Sequence, residues 1–317
     1  MQNQQSSHAK TSEAAAMARR ARHPAERILS CISVLITVGI LAFLALIVTQ
    51  GITKPSDETA VADKLAEFLD VDIESAAFLV KAGDWIILLV VLLIYGRYWL
   101  ALFNESNRAA SEDLTCADLA SDEPEKILKQ YAEILGMKKL PMLYFSDHGE
   151  HVTIHDIVAY GKKYMVLSTL LNLESLSDER MPNLRFRLAT KIGNIYMGYN
   201  SILFQVLTLP GRFLPGLRGL YIKSLIYSSD RMAMEILAKD PTVSLSADDV
   251  VRSVFLRDYY INTHPLIDVN QAIANRRAAF DKMGRLEKAL LRLSSIEPPL
   301  MDRLNAIRDT SRHGMIV

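Results

Sequence analysis

The only cluster of histidines in the chain is His148-Gly149-Glu150-His151 with His155 close behind. Imidazoles at i, i+3 and i+7 would line one face of a helix and could take up a zinc ion. The segment lies between two strand-like runs and contains a glycine, so it reads more strongly as a polar hairpin loop. A metal site rebuilt from His148, His151 and His155 is the alternative. Ser228-Ser229-Asp230 sets hydroxyls beside a carboxylate, but no histidine is placed by sequence to activate a serine. The stretch from Gly211 to Gly219 is rich in glycine and carries Arg212 and Arg218, yet it lacks the strand–helix context of a phosphate-binding loop. His264 before Pro265 reads as a structural cap. Cys31 and Cys116 are the only cysteines. They suit a reducing compartment and exclude a disulfide framework or a zinc ribbon. Lys+Arg and Asp+Glu balance at 36 each, which gives no basic excess for nucleic acid.

These residues are held by a chain with an apolar beginning. Half of its 317 residues are hydrophobic and its mean hydropathy is +0.13. Residues 28–50 carry no charge. About 20 such residues cross a hydrocarbon core of about 30 Å, and the run is too long for a signal peptide. A second span is expected over 85–103, with Arg97 snorkelling and Tyr98 and Trp99 in the interfacial belt. Lys10, Arg19, Arg20, Arg22 and Arg27 precede the first span, whereas the loop between the spans is acidic. The positive-inside rule then puts the N-terminus in the cytoplasm, the loop outside and everything after about residue 104 back in the cytoplasm.

The elements follow from periodicity. Residues 1–25, rich in Gln, Ser, Ala and Arg, read as disordered or loosely helical. The loop at 56–82 reads as one or two short amphipathic helices, with Val61, Leu65, Phe68 and Leu69 at helical spacing, and 104–122 as a polar linker. A helix starts at Pro124 and stops at Gly136. Strands are expected at 142–145 and 163–167, with a possible middle strand between them. Helices are then expected at about 168–176, 184–199 and 220–238, and the remainder is helical with breaks at Pro265 and Pro298-Pro299. The segment 202–220 is strongly apolar, and either packs in the core, lies on the bilayer surface or forms a groove for a partner.

The order of these elements resembles the HtpX-like membrane zinc endopeptidases, relatives of the CAAX prenyl proteases. In that family a helix after the small sheet carries Ala-His-Glu-Leu-Gly-His-Ile. The corresponding run here is Ala189-Thr190-Lys191-Ile192-Gly193-Asn194-Ile195. Two histidines at i and i+4 put two imidazoles on one zinc, and the glutamate takes the proton of the metal-bound water. Thr190 and Asn194 stand at the histidine positions, and Lys191 at the base. The family's third ligand is the Glu of Glu-x-x-Ala-Asp-x-x-Ala, where this chain has Ile226 to Ala233, with Ile226 for the Glu and Asp230 for the Asp. With no histidine to orient, Asp230 is expected to pair with Lys191 or Arg231. Thr263-His264-Pro265 and the segment Ile296 to Leu304 both resemble the family's late Thr-His-Pro element, which ends in an Arg-aliphatic pair.

The resemblance implies an α+β fold, mostly helical. Two N-terminal transmembrane helices would precede a zincin-like cytosolic domain with a small β-sheet. The divisions are a tail at 1–27, spans at 28–50 and 85–103 around an extracytoplasmic loop at 51–84, a linker at 104–122 and the domain at 123–317. Thr190, Lys191, Asn194, Ile226 and Asp230 would be vestigial, with no catalytic residue and no zinc. The expected role is a pseudoenzyme of the inner (plasma) membrane that scaffolds or regulates, with the lipid bilayer and an unidentified protein or peptide as partners. A homo- or hetero-oligomer is compatible with this role; nucleic acid is not expected as a partner. The alternatives are an active metalloendopeptidase with a rebuilt site, or a structural subunit of a membrane complex.

Overall fold

A computed structural model describes residues 2–53, 66–70, 72–75, 78, 82–83, 86, 88–98, 100, 115–116, 123–146, 154–159, 162–168, 181–242, 245–250, 269–309 and 313–315. The chain is mostly helical with one small sheet. It divides into two units, residues 1–33 with 106–317, and residues 34–105.

In the first unit, α1 (Gln2–Ala21) is followed by the start of α2 (Pro24–Thr53). A short strand β1 (Thr115–Cys116) precedes α4 (Glu123–Ile134), and then come β2 (Met142–Ser146), β3 (Ile154–Ala159) and β4 (Lys162–Ser168). Helix α3 (Leu88–Tyr98) belongs to the other unit. The remaining helices are α5 (Met181–Met197), α6 (Ile202–Leu207), α7 (Leu209–Phe213), α8 (Leu217–Leu237), α9 (Ala247–Val250), α10 (Val269–Lys282), α11 (Arg285–Ser294) and α12 (Leu300–Arg308).

The sheet order is β1-β2-β4-β3, with β2 parallel to β4 and β3 antiparallel to it. The strand expected in the middle therefore lies at the sheet edge, because it turns back into β4 as a hairpin and leaves the other side of β4 to β2. The stretch read as a polar linker contributes β1, whose Cys116 is paired with Tyr144.

The central element is α8, packed against α5, α7, α1 and α12. Leu188, Ala189, Ile192 and Ile195 of α5 are buried with Met232, Ala233, Ile236 and Leu237 of α8. Gly193 permits the approach, since a Cβ there would lie 2.8 Å from Met232 Cγ. Ile127, Leu128, Tyr131 and Leu135 of α4 extend this core, and α4 ends as expected at Gly136, whose φ of 61° is cheap only for glycine.

The N-terminal residues follow the helical of the two readings, but the helix is docked rather than loose. Ala14, Met17, Ala18 and Ala21 recur at i, i+3, i+4 and i+7 and are buried in the same core. A narrow stripe of small side chains suffices to dock α1 on α8, so the tail is an integral part of the domain.

In the second unit the apolar part of α2 continues. Pro24–Leu46 is long and apolar enough to cross a membrane, with a mean hydropathy of 2.7. Leu35, Val38, Leu41, Phe43 and Leu46 are exposed along it. Of the expected second span, α3 is described as an apolar helix, and among the described residues it is shorter than a bilayer crossing. Residues 66–69 are helical as expected, while Val61 and Leu65 lie outside the described residues. So do Trp99, 101–103 and the helix expected at about 169–176.

Candidate functional site

Helices α5 and α8 carry the positions singled out by sequence. Thr190 and Asn194 sit one turn apart on α5, both half-buried. Thr190 donates its hydroxyl to the Phe186 carbonyl at 2.8 Å, the back-bond of a threonine within a helix. Asn194 faces α8, where its Oδ1 lies 2.6 Å from Ser229 Oγ. Lys191 is half-buried beside them, and Ile226 is half-buried one turn before Ser229 and Asp230 on α8. The fold thus brings Asn194 against the helix that bears Ile226 and Asp230.

Asp230 corrects an expectation. Its carboxylate is buried and is held by the Arg303 guanidinium, with Nε and Nη2 each donating at 2.8 Å to the two oxygens. Neither Lys191 nor Arg231 takes that place. Two parallel N–H···O bonds satisfy a buried carboxylate better than one ammonium can. Arg303 belongs to α12, and Arg303-Leu304 closes the second of the two late segments noted in the sequence. Thr263, His264 and Pro265 of the first lie outside the described residues.

Of the three histidines, His155 is on β3, opposite Val166 in register, whereas His148 and His151 lie outside the described residues. Among the described residues no three His, Cys, Asp or Glu side chains are grouped so as to hold a metal ion. Chemically the α5–α8 face offers hydroxyls, an amide and an ammonium.

A second polar cluster went unnoticed in the sequence. Glu26, at the start of α2, is buried and accepts from the Tyr199 hydroxyl at 2.7 Å, and its Oε2 lies 2.5 Å from Ser228 Oγ. The His23 backbone N–H donates to the same Ser228 oxygen at 2.8 Å. The His23 ring accepts from the Ala25 N–H at Nδ1, so its proton is on Nε2, which faces the Gly314 carbonyl at 3.2 Å. Burial holds this imidazole below its usual range, and nearby Arg231 acts in the same direction. Burial, reinforced by Glu26, likewise pushes the Tyr199 phenol upward. The cluster ties α2 to α5 and α8. Its signal in the sequence is a polar stripe, His23, Glu26, Ser33 and Thr37, on an otherwise apolar helix, and all four are buried.

At the other end of α8, Asp240 is gripped by Arg185 of α5 at 2.6 Å, by Gln130 of α4 at 2.7 Å and by Thr242. Burial alone would raise this carboxyl, but the Thr242 bonds, Arg185 and Gln130 outweigh it and hold it below the usual range.

Comparison with protein-family models, with curated proteins and with solved structures finds no match in any of the three.

Proposed function

We propose that the chain is a catalytically inactive, membrane-anchored relative of the HtpX-like endopeptidases, which binds a protein or peptide at the inner membrane. The observation that carries this reading is the contact between α5 and α8. The position of the second zinc-binding histidine is Asn194, and its side-chain oxygen is already engaged by Ser229 of the opposing helix. The positions of the base and the third ligand are Lys191 and Ile226, a cation and a hydrocarbon. Asp230 has lost the histidine it would orient and instead fastens α12 through Arg303, in the Arg-aliphatic pair that the resemblance leads one to expect.

Anchoring rests on α2, and the topology on α1. Because α1 packs on α8, the residues before the first span and the domain after residue 123 share one side of the membrane. On this reading a crossing by α2 calls for a second before residue 115, and the apolar helix α3 is our candidate for it. This favours two spans with both termini cytoplasmic, in accord with the Lys/Arg asymmetry.

Elemental analysis of the purified full-length protein tests the inactive reading, with no stoichiometric zinc and no peptide cleavage expected. One zinc per chain, lost on His155→Ala, would support the rebuilt site instead. The combined Thr190→His, Lys191→Glu, Asn194→His and Ile226→Glu variant should acquire zinc. Reporters fused before residue 1 and after residue 317 test the topology, and activity of either one outside the cytoplasm would refute it.

A further inference from the structure

The first unit contains an open cavity of about 630 Å³ at the foot of α2. Its walls carry Arg19, Arg20, Arg22, Arg27 and Arg231, with His313 beside them. The one carboxylate in the lining, Glu235, is already held by Arg20 Nε at 3.1 Å and Nη2 at 2.7 Å. Arg22 is also engaged, donating to the Met197 carbonyl at 3.0 Å. Arg19 and Arg27 are exposed and make no ion pair among the described residues. The Nδ1 of His313 is buried and meets no hydrogen-bond partner among them. The cavity is therefore strongly cationic, with two arginines available to an anion.

Its remaining wall is Pro24 and Ile28, the first residues of the apolar helix. Ile28 is exposed while Leu29 and Ser33 are buried, so the outward face of α2 becomes apolar immediately beyond the arginines. One and a half turns on, Ser33 meets Gly211, where a Cβ would lie close to the Ser33 hydroxyl and the Tyr221 ring. At this same end of α8, Gly219 approaches the Ser295 carbonyl, and Lys223 donates to the Arg292 carbonyl. Phe213, Leu214, Leu293 and Ile296, which flank these contacts, are exposed. Six helical residues separate Arg27 from Ser33, a rise of about 9 Å. Amphipathic segments bury their apolar face about 5–10 Å into the headgroup–acyl boundary. Apolar side chains at the level of Ser33 thus set the arginine cavity at the depth of the lipid phosphates.

We propose that this cavity binds the phosphate of an acidic glycerophospholipid in the leaflet facing the domain. Arg19 and Arg27 would take the phosphate oxygens, and the acyl chains would run along Ile28 and Ile32. The inference rests on α2 spanning the membrane. A lipid, rather than a free anion, is favoured because the charged cavity continues directly into an exposed apolar helix face.

The test uses full-length protein in detergent, with retained lipid read by native mass spectrometry. Phosphatidylglycerol should be retained in preference to phosphatidylcholine of the same chains. Arg19→Gln/Arg27→Gln alters only exposed side chains and should weaken retention about thirtyfold, as expected for two basic residues at a lipid surface. Lys138→Gln/Lys139→Gln removes the same charge beyond α4 and should leave retention unchanged. Equal loss in the two double variants would overturn the site in favour of general charge attraction. Displacement of phosphatidylglycerol by millimolar inorganic phosphate would overturn a lipid as the occupant. Alkaline carbonate extraction of membranes separates the two levels of the argument. Release of the protein would refute the spanning helix itself, whereas retention in the membrane without lipid preference would refute only the cavity.

Discussion

Replacing Asp230 by alanine should destabilise the domain through Arg303. The carboxylate is 3% exposed and the guanidinium 24% exposed, and two bonds of 2.8 Å join them. Removing one partner of a buried pair costs roughly 3–5 kcal/mol, because the remaining charge is left uncompensated. Arg303 can regain some water through its exposed quarter, so the lower end applies, about 3 kcal/mol. For a unit of this size, each kcal/mol shifts the melting temperature by about 2–4 °C, giving a fall of roughly 6–12 °C. Arg303→Met should cost less, since the acid it strands can take up a proton. A double-mutant cycle in the full-length protein, followed by thermal unfolding in detergent, would measure the coupling directly. Asp230 should couple strongly to Arg303 and only weakly to Lys191. An Asp230→Ala protein melting within about 2 °C of the parent would refute the reasoning, as would a stronger coupling to Lys191.

Other expectations concern packing and pH. Met17→Ala should lower stability by about 2–5 kcal/mol, the cost of emptying a fully buried methionine site, although residue 17 lies in a polar tail. An unchanged melting curve would mean that α1 is not docked. Gly193→Val should cost about 1–3 kcal/mol because its Cβ meets Met232 at 2.8 Å, and equal stability of the variant would contradict the close α5–α8 approach. The stabilisation from neutral His23 should be fully present above the unfolded pKa of about 6.5 and be lost as pH falls below it, since the unfolded chain takes up the proton first. Melting temperatures between pH 8 and 5 should fall less steeply in His23→Gln, and parallel curves would exclude His23 as the source.

Local periodicity made much of the fold legible. Tyr131 with Ile127, Leu128 and Leu135 announced α4, Gly136 its end, and the apolar spacing along α5 and α8 set those helices within a few residues. What escaped depends on partners distant in the chain. Gln, Ser and Arg around Ala14 and Met17 mask a stripe only four residues long, which becomes meaningful once α8 supplies the opposing surface. Thr115 and Cys116 form a strand solely because β2 offers an edge. The position of Asp230 was found from its motif, but its partner lies 73 residues downstream, and no local pattern chooses between Lys191, Arg231 and Arg303. Glu26 and His23 were not singled out beside the arginines, although with Ser33 they are the polar residues buried at the start of α2.

The docking of α1 on α8 also constrains how the protein is made. Met17 and its partner helix are separated by about two hundred residues of chain, including both apolar helices. At roughly 5–20 residues per second, the ribosome exposes the α1 stripe some 10–45 s before Ile236 and Leu237 emerge to cover it. Through that interval the first helix must wait unpaired or be shielded by another protein. If the chain crosses at α2 and does not cross back, α1 and α8 would end on opposite sides of the bilayer and the core could not close. On the proposed two-span reading, the docking of α1 would thus act as a check on insertion, leaving chains with a single crossing incompletely folded and open to proteolysis.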